Sequence, residues 1–318
     1  MKVLLTGANG FLGRQVLESC QLRNLEVLAC ARNVDTAKPG WAKSPDLGPT
    51  ADWGNLLSGI DVVIHTAGIA HRLGKDGPDL RQHFQNVNVE GTLNLAQQAL
   101  RAGAKRFIFI SSIGVNGAQT TESSCFSEHS IPTPHADYAI SKHQAELRLK
   151  ALLSDSAMEL VIIRPPLVYG AHAPGNFQRL LKLVSARLPL PLGRIKNRRS
   201  MVALENLADF IAHCVAHPAA ANELFLISDG IDVSTPDIVR HLAAGMGHES
   251  RLLPVPVALM RYGANLLGKR PIYTQLCGSL AIDSSKARNQ LGWTPRLTPE
   301  QALFRAGQDY QKLLASRI

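Results

Sequence analysis

Thr6-Gly7-Ala8-Asn9-Gly10-Phe11-Leu12-Gly13 follows directly on the apolar run Val3-Leu4-Leu5. A glycine-rich turn between a strand and a helix lets backbone approach a pyrophosphate closely. The free N–H groups and dipole at the helix N-terminus then favour negative charge. In this reading Gly7 makes the tight turn, Gly10 removes side-chain obstruction and Gly13 lets the helix pack tightly on the strand. Asn9, Phe11 and Leu12 complete the expected cofactor-binding turn.

The pattern downstream agrees with such a start. Apolar, β-rich runs recur at Glu26–Cys30, Asp61–His65, Phe107–Ile110 and Leu160–Ile163. Helical stretches lie between most of them, among them Phe11–Cys20, Val89–Ala102 and Tyr138–Leu153. Strands alternating with helices imply right-handed crossovers and a parallel sheet covered on both faces, an α/β doubly wound Rossmann-type domain. From Pro165 the pattern loosens, with prolines and glycines crowding Pro165–Gly175 and Leu188–Gly193. A strand-like run, Glu223–Ser228, precedes a helix start at Ser234-Thr235-Pro236-Asp237. Further helices are expected over Asp283–Leu291 and from Pro299 towards Leu314. The expected division is a Rossmann domain of residues 1–169 plus about 200–232, and a smaller substrate-binding part of residues 170–199 and 233–318.

Cofactor type is read at the end of the second strand, where an acid would hydrogen-bond the ribose 2′-hydroxyl of NAD. Here the strand ends without one and delivers Arg32, with Arg14 beside the glycine turn. A guanidinium suits a 2′-phosphate, so NADP(H) is expected over NAD(H).

Tyr138-Ala139-Ile140-Ser141-Lys142 places a tyrosine and a lysine four apart, on one helical face. A tyrosine with pKa near 10 is a poor base at neutral pH, and a neighbouring ammonium would lower that value. Ser112, at the C-terminal end of the strand through Phe107, sits where open α/β sheets put their chemistry. Its hydroxyl can hydrogen-bond an oxygen that gains or loses a proton. Ser112, Tyr138 and Lys142 are therefore the expected catalytic residues for hydride chemistry.

The G-x-x-G-x-x-G spacing, with these motifs and with Asp61–Gly68, Asn88-Val89-Glu90-Gly91-Thr92 and Arg164–Gly170, resembles the extended short-chain dehydrogenases. Within them it is similar to the NAD-dependent epimerase/dehydratase group. The resemblance covers essentially the whole chain. It implies that Ala67, Asn88 and Pro165 join Tyr138 and Lys142 around the cofactor, and that the substrate is a nucleotide sugar, read as UDP. Arg199 matches the arginine that grips the UDP diphosphate, Asn176 a second diphosphate contact. Arg198 is read as a solvated neighbour. His71 could reach a sugar hydroxyl. A homodimer formed through two helices is also implied.

Members of that group that dehydrate carry an Asp-Glu pair after the catalytic Ser or Thr, and here those positions are Ile113 and Gly114. Neither does acid–base work, which argues against dehydratases and likewise decarboxylases. Redox at one carbon remains. It is either C4 epimerisation with retained NAD or reduction of a 4-keto sugar by NADPH. Arg32 and the missing acid favour the reductase. The stretches Leu188–Gly193, Lys196–Ser200 and Gly278–Lys286 resemble bacterial O-antigen enzymes that reduce UDP-4-keto-6-deoxy-N-acetylglucosamine to UDP-N-acetylquinovosamine or UDP-N-acetylfucosamine. Asn116 departs from the Tyr found there in many epimerases. A non-catalytic NADP-binding sensor is the contrasting class, and the Ser112–Tyr138–Lys142 set argues against it.

Composition narrows the remaining classes. The 318 residues carry a net charge of +9, but the only dense basic cluster is Arg194–Arg199 and aromatic content is 5%, so no nucleic-acid platform is visible. A membrane-surface role for that cluster would need an amphipathic helix, and none is visible behind it. No run approaches a membrane span, so no insertion is expected. The five cysteines form no C-x-x-C pair, which fits a reducing compartment and a cytoplasmic address. His213 and His217 have metal-compatible spacing but no third ligand, and no metal is expected. No G-x-S-x-G elbow supports a hydrolase.

Overall fold

A computed structural model describes residues 1–35, 38–70, 78–268 and 270–316. Among the described residues nine strands form, at Lys2–Thr6 (β1), Glu26–Ala31 (β2), Trp41–Lys43 (β3), Val62–His65 (β4), Arg106–Ile110 (β5), Glu159–Arg164 (β6), Leu167–Tyr169 (β7), Met201–Ala203 (β8) and Leu224–Leu226 (β9). Seven make one sheet in the order β3-β2-β1-β4-β5-β6-β9, every pair parallel. The strand order reverses direction between β1 and β4. A crevice therefore opens beyond their C-terminal ends, where such sheets bind ligands.

Alternation along each strand sends side chains to two cores. In β5, Ile108 and Ile110 join Val3, Leu5 and Ile163 on one face. Phe107 and Phe109 join Leu4, Val63 and Ile162 on the other. Both faces are buried because helices cover both, which explains why these strands read as apolar runs.

The expected helices form close to where the sequence puts them. Phe11–Leu22 follows the glycine turn and Asp137–Leu153 carries Tyr138 and Lys142. Ser234 caps Thr235–Gly245 by accepting from the Asp237 N–H, and Thr298 with Gln301 makes a capping box on Pro299–Ala315. The stretch read as Val89–Ala102 is divided. A π-helical turn at Gln85–Gly91 precedes the α-helix Thr92–Arg101.

A third apolar cluster is built almost entirely from the chain after Pro165, with Phe11 packed against it from the glycine-turn helix. Tyr169, Phe177, Leu181 and Ile195 meet Ile238, Leu242, Leu303 and Tyr310. Two of its helices touch through glycines. A Cβ on Gly245 would lie 2.0 Å from the Phe304 carbonyl oxygen, and one on Gly307 would lie 2.3 Å from that of Leu242. Local propensity alone did not indicate the short β7–β8 pair. Asp229 fixes it, accepting from Tyr169 Oη at 2.6 Å, Asn206 Nδ2 at 2.7 Å and the Ala203 N–H.

Candidate active site

The glycine turn sits at the strand-order reversal. Gly7 has φ 71°, and a Cβ there would come within 2.9 Å of the Ala67 nitrogen, across the crevice on the β4 side. A Cβ on Gly13 would lie 2.1 Å from the Gly7 carbonyl oxygen, so only glycine lets the helix descend this close to the turn. Gly10 begins the helix with no side-chain cap, and no acid occupies the first turn. The helix N–H groups therefore stay available and the positive end of the dipole is uncompensated, a cradle that fits a dinucleotide pyrophosphate. Asn9 braces the loop, its Nδ2 donating to Asn33 O at 3.2 Å. Arg14 is spent on the turn itself, with Nε donating to Asn9 O at 2.9 Å. Phe11 and Leu12 pack inward, against the third and first clusters respectively.

Arg32 follows the end of β2 beside this turn, tied to it through the Ala8 N–H, which donates to Cys30 O at 3.0 Å. Its guanidinium is largely exposed, 3.7 Å from the Asp46 carboxylate. At that exposure the pair contributes little.

Ser112 lies just beyond the C-terminal end of β5, and Lys142, one turn after Tyr138 on the helix Asp137–Leu153, reaches the last residue of that strand. Ser112 caps a 3-10 turn over Ile113–Val115, its Oγ accepting from the Gly114 N–H at 3.1 Å. Gly114 lies against the helix Asp137–Leu153, where an added Cβ would meet the Ala139 Cβ at 3.2 Å. The buried Pro165 holds the same loop, its carbonyl accepting from the Ile113 N–H at 2.9 Å. Lys142 is buried. Its Nζ donates to Ile110 O at 2.8 Å and stands 4.6 Å from the Phe109 ring centroid.

The expectation that Lys142 lowers the Tyr138 pKa is not met in this state. The ammonium is 6.0 Å from the tyrosine ring centroid and held by the Ile110 carbonyl. Desolvation dominates and pushes the phenol, half-buried beside Phe84, up to about 12. Tyr138 is thus protonated at neutral pH. Burial brings Lys142 down to about 8, against a partly offsetting pull from Glu146.

Asn88 lies on the π-turn and is buried. Its Oδ1 accepts from the Ile69 N–H at 3.0 Å, while Nδ2 donates to Ile69 O at 3.0 Å and Ser141 Oγ at 3.1 Å. Ser141 in turn donates to Tyr138 O at 2.7 Å. Asn88 therefore ties the segment after β4 to the helix Asp137–Leu153. His65, at the end of β4, is buried between Thr6 Oγ1 and Thr92 Oγ1. Desolvation holds it neutral, at about 3. His71 lies outside the described residues.

Asn176 and Arg199 share one small cleft, lined also by Phe177, Thr235, Gln275 and Leu276. Arg199 is fixed there by Nη1, which donates to Gln275 O at 2.9 Å and Gly278 O at 3.1 Å. Ser112, Tyr138 and Lys142 do not line this cleft. Segment Ser279–Ile282 connects the two places, bridging Arg199 on one side and Thr120 and Phe126 on the other. Arg198 is no solvated bystander. It pairs with Asp232 at 2.9 Å and donates to Glu122 O at 3.0 Å.

A buried charged network was not anticipated from sequence. Arg164 turns inward, with Nε on Glu146 Oε1 at 2.9 Å and Nη1 on Asn116 Oδ1 at 2.8 Å. Ser111 Oγ donates to the same Glu146 carboxylate. Asn116, the departure noted in the sequence, is fully buried and accepts one of the guanidinium's hydrogen bonds. The available signal was Glu146 at four residues beyond Lys142, on one helical face with Tyr138. The rings of His213 and His217 lie 5.0 Å apart, tilted by 34°, with His213 bonded to Leu291 O. No metal-holding cluster occurs among the described residues.

A parallel doubly wound sheet with a glycine turn at its reversal point is the fold of the short-chain dehydrogenases/reductases. The chain belongs to the NAD dependent epimerase/dehydratase family, whose profile matches residues 3–228. Over 311 residues it is 40% identical to the UDP-glucose 4-epimerase of Vibrio cholerae, covering 97% of this chain and 95% of that one. It is 27% identical to the N-acetyl-alpha-D-glucosaminyl-diphospho-ditrans,octacis-undecaprenol 4-epimerase of Escherichia coli O157:H7, covering 96% and 94%. Among solved structures, a UDP-glucuronic acid 4-epimerase from Bacillus cereus in complex with NAD superposes with TM-score 0.77 at 22% identity, covering 99% and 98%. The shared fold is therefore that of NAD-binding enzymes. No helix among the described residues is long and apolar enough to cross a membrane.

Proposed function

We propose that this enzyme reduces the C4 ketone of a UDP-4-keto-6-deoxy-N-acetylhexosamine with NADPH, giving UDP-N-acetylquinovosamine or UDP-N-acetylfucosamine for surface polysaccharide. The observation that carries the reading is the residue set beyond β5. Ser112 is followed by Ile113 and Gly114, with no carboxylate, and Tyr138 sits half-buried beside Phe84 as a phenol that can give a proton to a carbonyl oxygen.

When bound, reduced nicotinamide supplies the hydride. Gly7, Gly10 and the first turn of Phe11–Leu22 receive the pyrophosphate, and Arg32 the 2′-phosphate. Asn88 holds the β4 exit and the catalytic helix at fixed separation. Ser112 Oγ donates to the sugar O4, and Tyr138 Oη holds the proton that this oxygen takes. Lys142 keeps a positive charge below pH of about 8 next to the developing alkoxide. Arg199 and Asn176 take the diphosphate, with the part of the chain in residues 170–199 and 233–318 closing over the nucleotide.

A second reading, 4-epimerisation of a UDP-hexose or UDP-N-acetylhexosamine with retained NAD, is favoured by the 40% identity to the Vibrio cholerae enzyme of that class. NADPH absorbance on mixing with freshly generated UDP-4-keto-6-deoxy-N-acetylglucosamine separates the two. Stoichiometric loss with the keto sugar alone supports the reductase. Interconversion of plain UDP-hexoses by protein carrying its own NAD, with no NADPH loss, overturns it.

A further inference from the structure

The helix Val257–Leu266 buries none of its ten residues, yet only Arg261 among them is charged. Apart from Arg261 and Asn265 its exposed side is apolar, and such a side belongs in a core or against a lipid phase. Val257 and Met260 supply its inner side, packed on the third cluster. Leu259, Tyr262 and Leu266 recur at i, i+3 and i+7, on one face. They are 60%, 67% and 69% exposed, and Leu267 directly after them is 72% exposed. Leu188 and Leu253, also exposed, lie on segments that pair beside the helix start, where the Leu253 N–H donates to Leu190 O at 2.8 Å. Scattered exposed leucines are ordinary, but a contiguous set marks a contact surface.

Charge identifies what the surface meets. Residues 160–204 and 250–282 contain no Asp or Glu. They hold twelve of the 34 Lys and Arg, more than the net charge of +9, so the rest of the chain sums to −3. The pairing of Leu190 with Leu252 and Leu253 brings the two acid-free stretches together. Arg187, Arg194, Lys196, Arg251, Arg261 and Arg270 are exposed and form no ion pair among the described residues. A second copy of this face would repel it, whereas lipid phosphates complement it.

We propose that this face docks on an anionic phospholipid bilayer. Leu259, Tyr262 and Leu266 enter the headgroup boundary while the arginines around them meet lipid phosphates. The neighbouring helix Arg270–Cys277 carries Gln275 and Leu276 of the Asn176–Arg199 cleft, so docking brings that cleft close to the headgroups. The isolated cluster Arg194–Arg199 thus gains the apolar helix that the sequence did not reveal. The proposal stands independently of which reaction the enzyme performs.

The test is co-sedimentation of the full chain with sucrose-loaded phosphatidylcholine vesicles, with and without phosphatidylglycerol, at low and high salt. Binding is expected to be about tenfold stronger on the anionic vesicles and to weaken with salt. Leu259→Ser with Leu266→Ser is expected to lower it by about tenfold, since two exposed anchors are lost, at unchanged melting temperature. Arg261→Glu with Arg270→Glu removes the anionic preference without touching the stripe. Equal binding to both vesicle types, no binding, or a Ser variant that binds like the parent overturns the proposal. An oligomer that the Ser variant dissolves also overturns it, assigning the face to a second copy.

Discussion

Replacing Glu146 by Gln removes one charge from the buried network while keeping its shape. The Glu146 and Arg164 side chains are 2% and 4% exposed. After the change the guanidinium keeps Asn116 Oδ1 at 2.8 Å but faces a neutral amide where a carboxylate took two of its donors. Losing one partner of a buried ion pair costs about 3–5 kcal/mol, because the remaining charge stays desolvated. Against a total stability of roughly 5–15 kcal/mol this is a large fraction. With a denaturant slope of about 3 kcal/mol/M, suited to a chain of this length, the urea midpoint falls by about 1 M or more. The double change Glu146→Leu with Arg164→Met removes both charges and is expected to cost less than either single change.

A second readout separates charge from packing. The carboxylate raises the Lys142 pKa, so its loss lets the ammonium deprotonate further below about 8. The alkaline fall of kcat/KM then moves to lower pH in Glu146→Gln, which a purely structural role does not produce. A Glu146→Gln midpoint within about 0.3 M of the parent, or a double variant whose loss equals the sum of the singles, refutes the reasoning.

In the parent, kcat/KM is expected to fall above pH of about 8, because a lysine with lowered pKa is charged below that value and neutral above it; a flat profile to pH of about 10 contradicts a charged Lys142. Tyr138→Phe removes the proton donor and is expected to lower turnover by about 10²–10⁴-fold; more than a few per cent retained activity shows the role is misassigned. Arg32→Asp exchanges a phosphate partner for a ribose-hydroxyl partner and is expected to shift the ratio of NADPH to NADH efficiency by about tenfold or more towards NADH. Gly13→Ala forces a Cβ to within 2.1 Å of the Gly7 carbonyl oxygen, and thermal unfolding is expected to show a loss of about 1–3 kcal/mol together with weakened cofactor binding by titration.

Much of the fold was legible because it is written locally. The strands at Val3–Leu5 and Leu160–Ile163 are buried on both faces, so they appear as unbroken apolar runs, and the helix start at Ser234 announces itself through its cap. The glycine spacing carried its own reason, since at Gly7 and Gly13 backbone atoms leave no room for a Cβ. Tyr138 and Lys142 were legible as a helical pair. Their ionisation was not, because it depends on desolvation and on the Ile110 carbonyl, which another strand brings in.

By itself, then, the sequence determined the doubly wound sheet, the nucleotide cradle and the identity of the expected hydride-transfer residues, each encoded within a short span of chain. Tertiary structure alone decided what lies between distant spans. It joined Glu146, Arg164, Asn116 and Ser111 into one network. It placed Asn176 with Arg199 in one cleft. It also set an exposed apolar helix beside a basic segment some sixty residues earlier in the chain. Charges and apolar faces act through space, and no local period records which partner the folded chain brings to them.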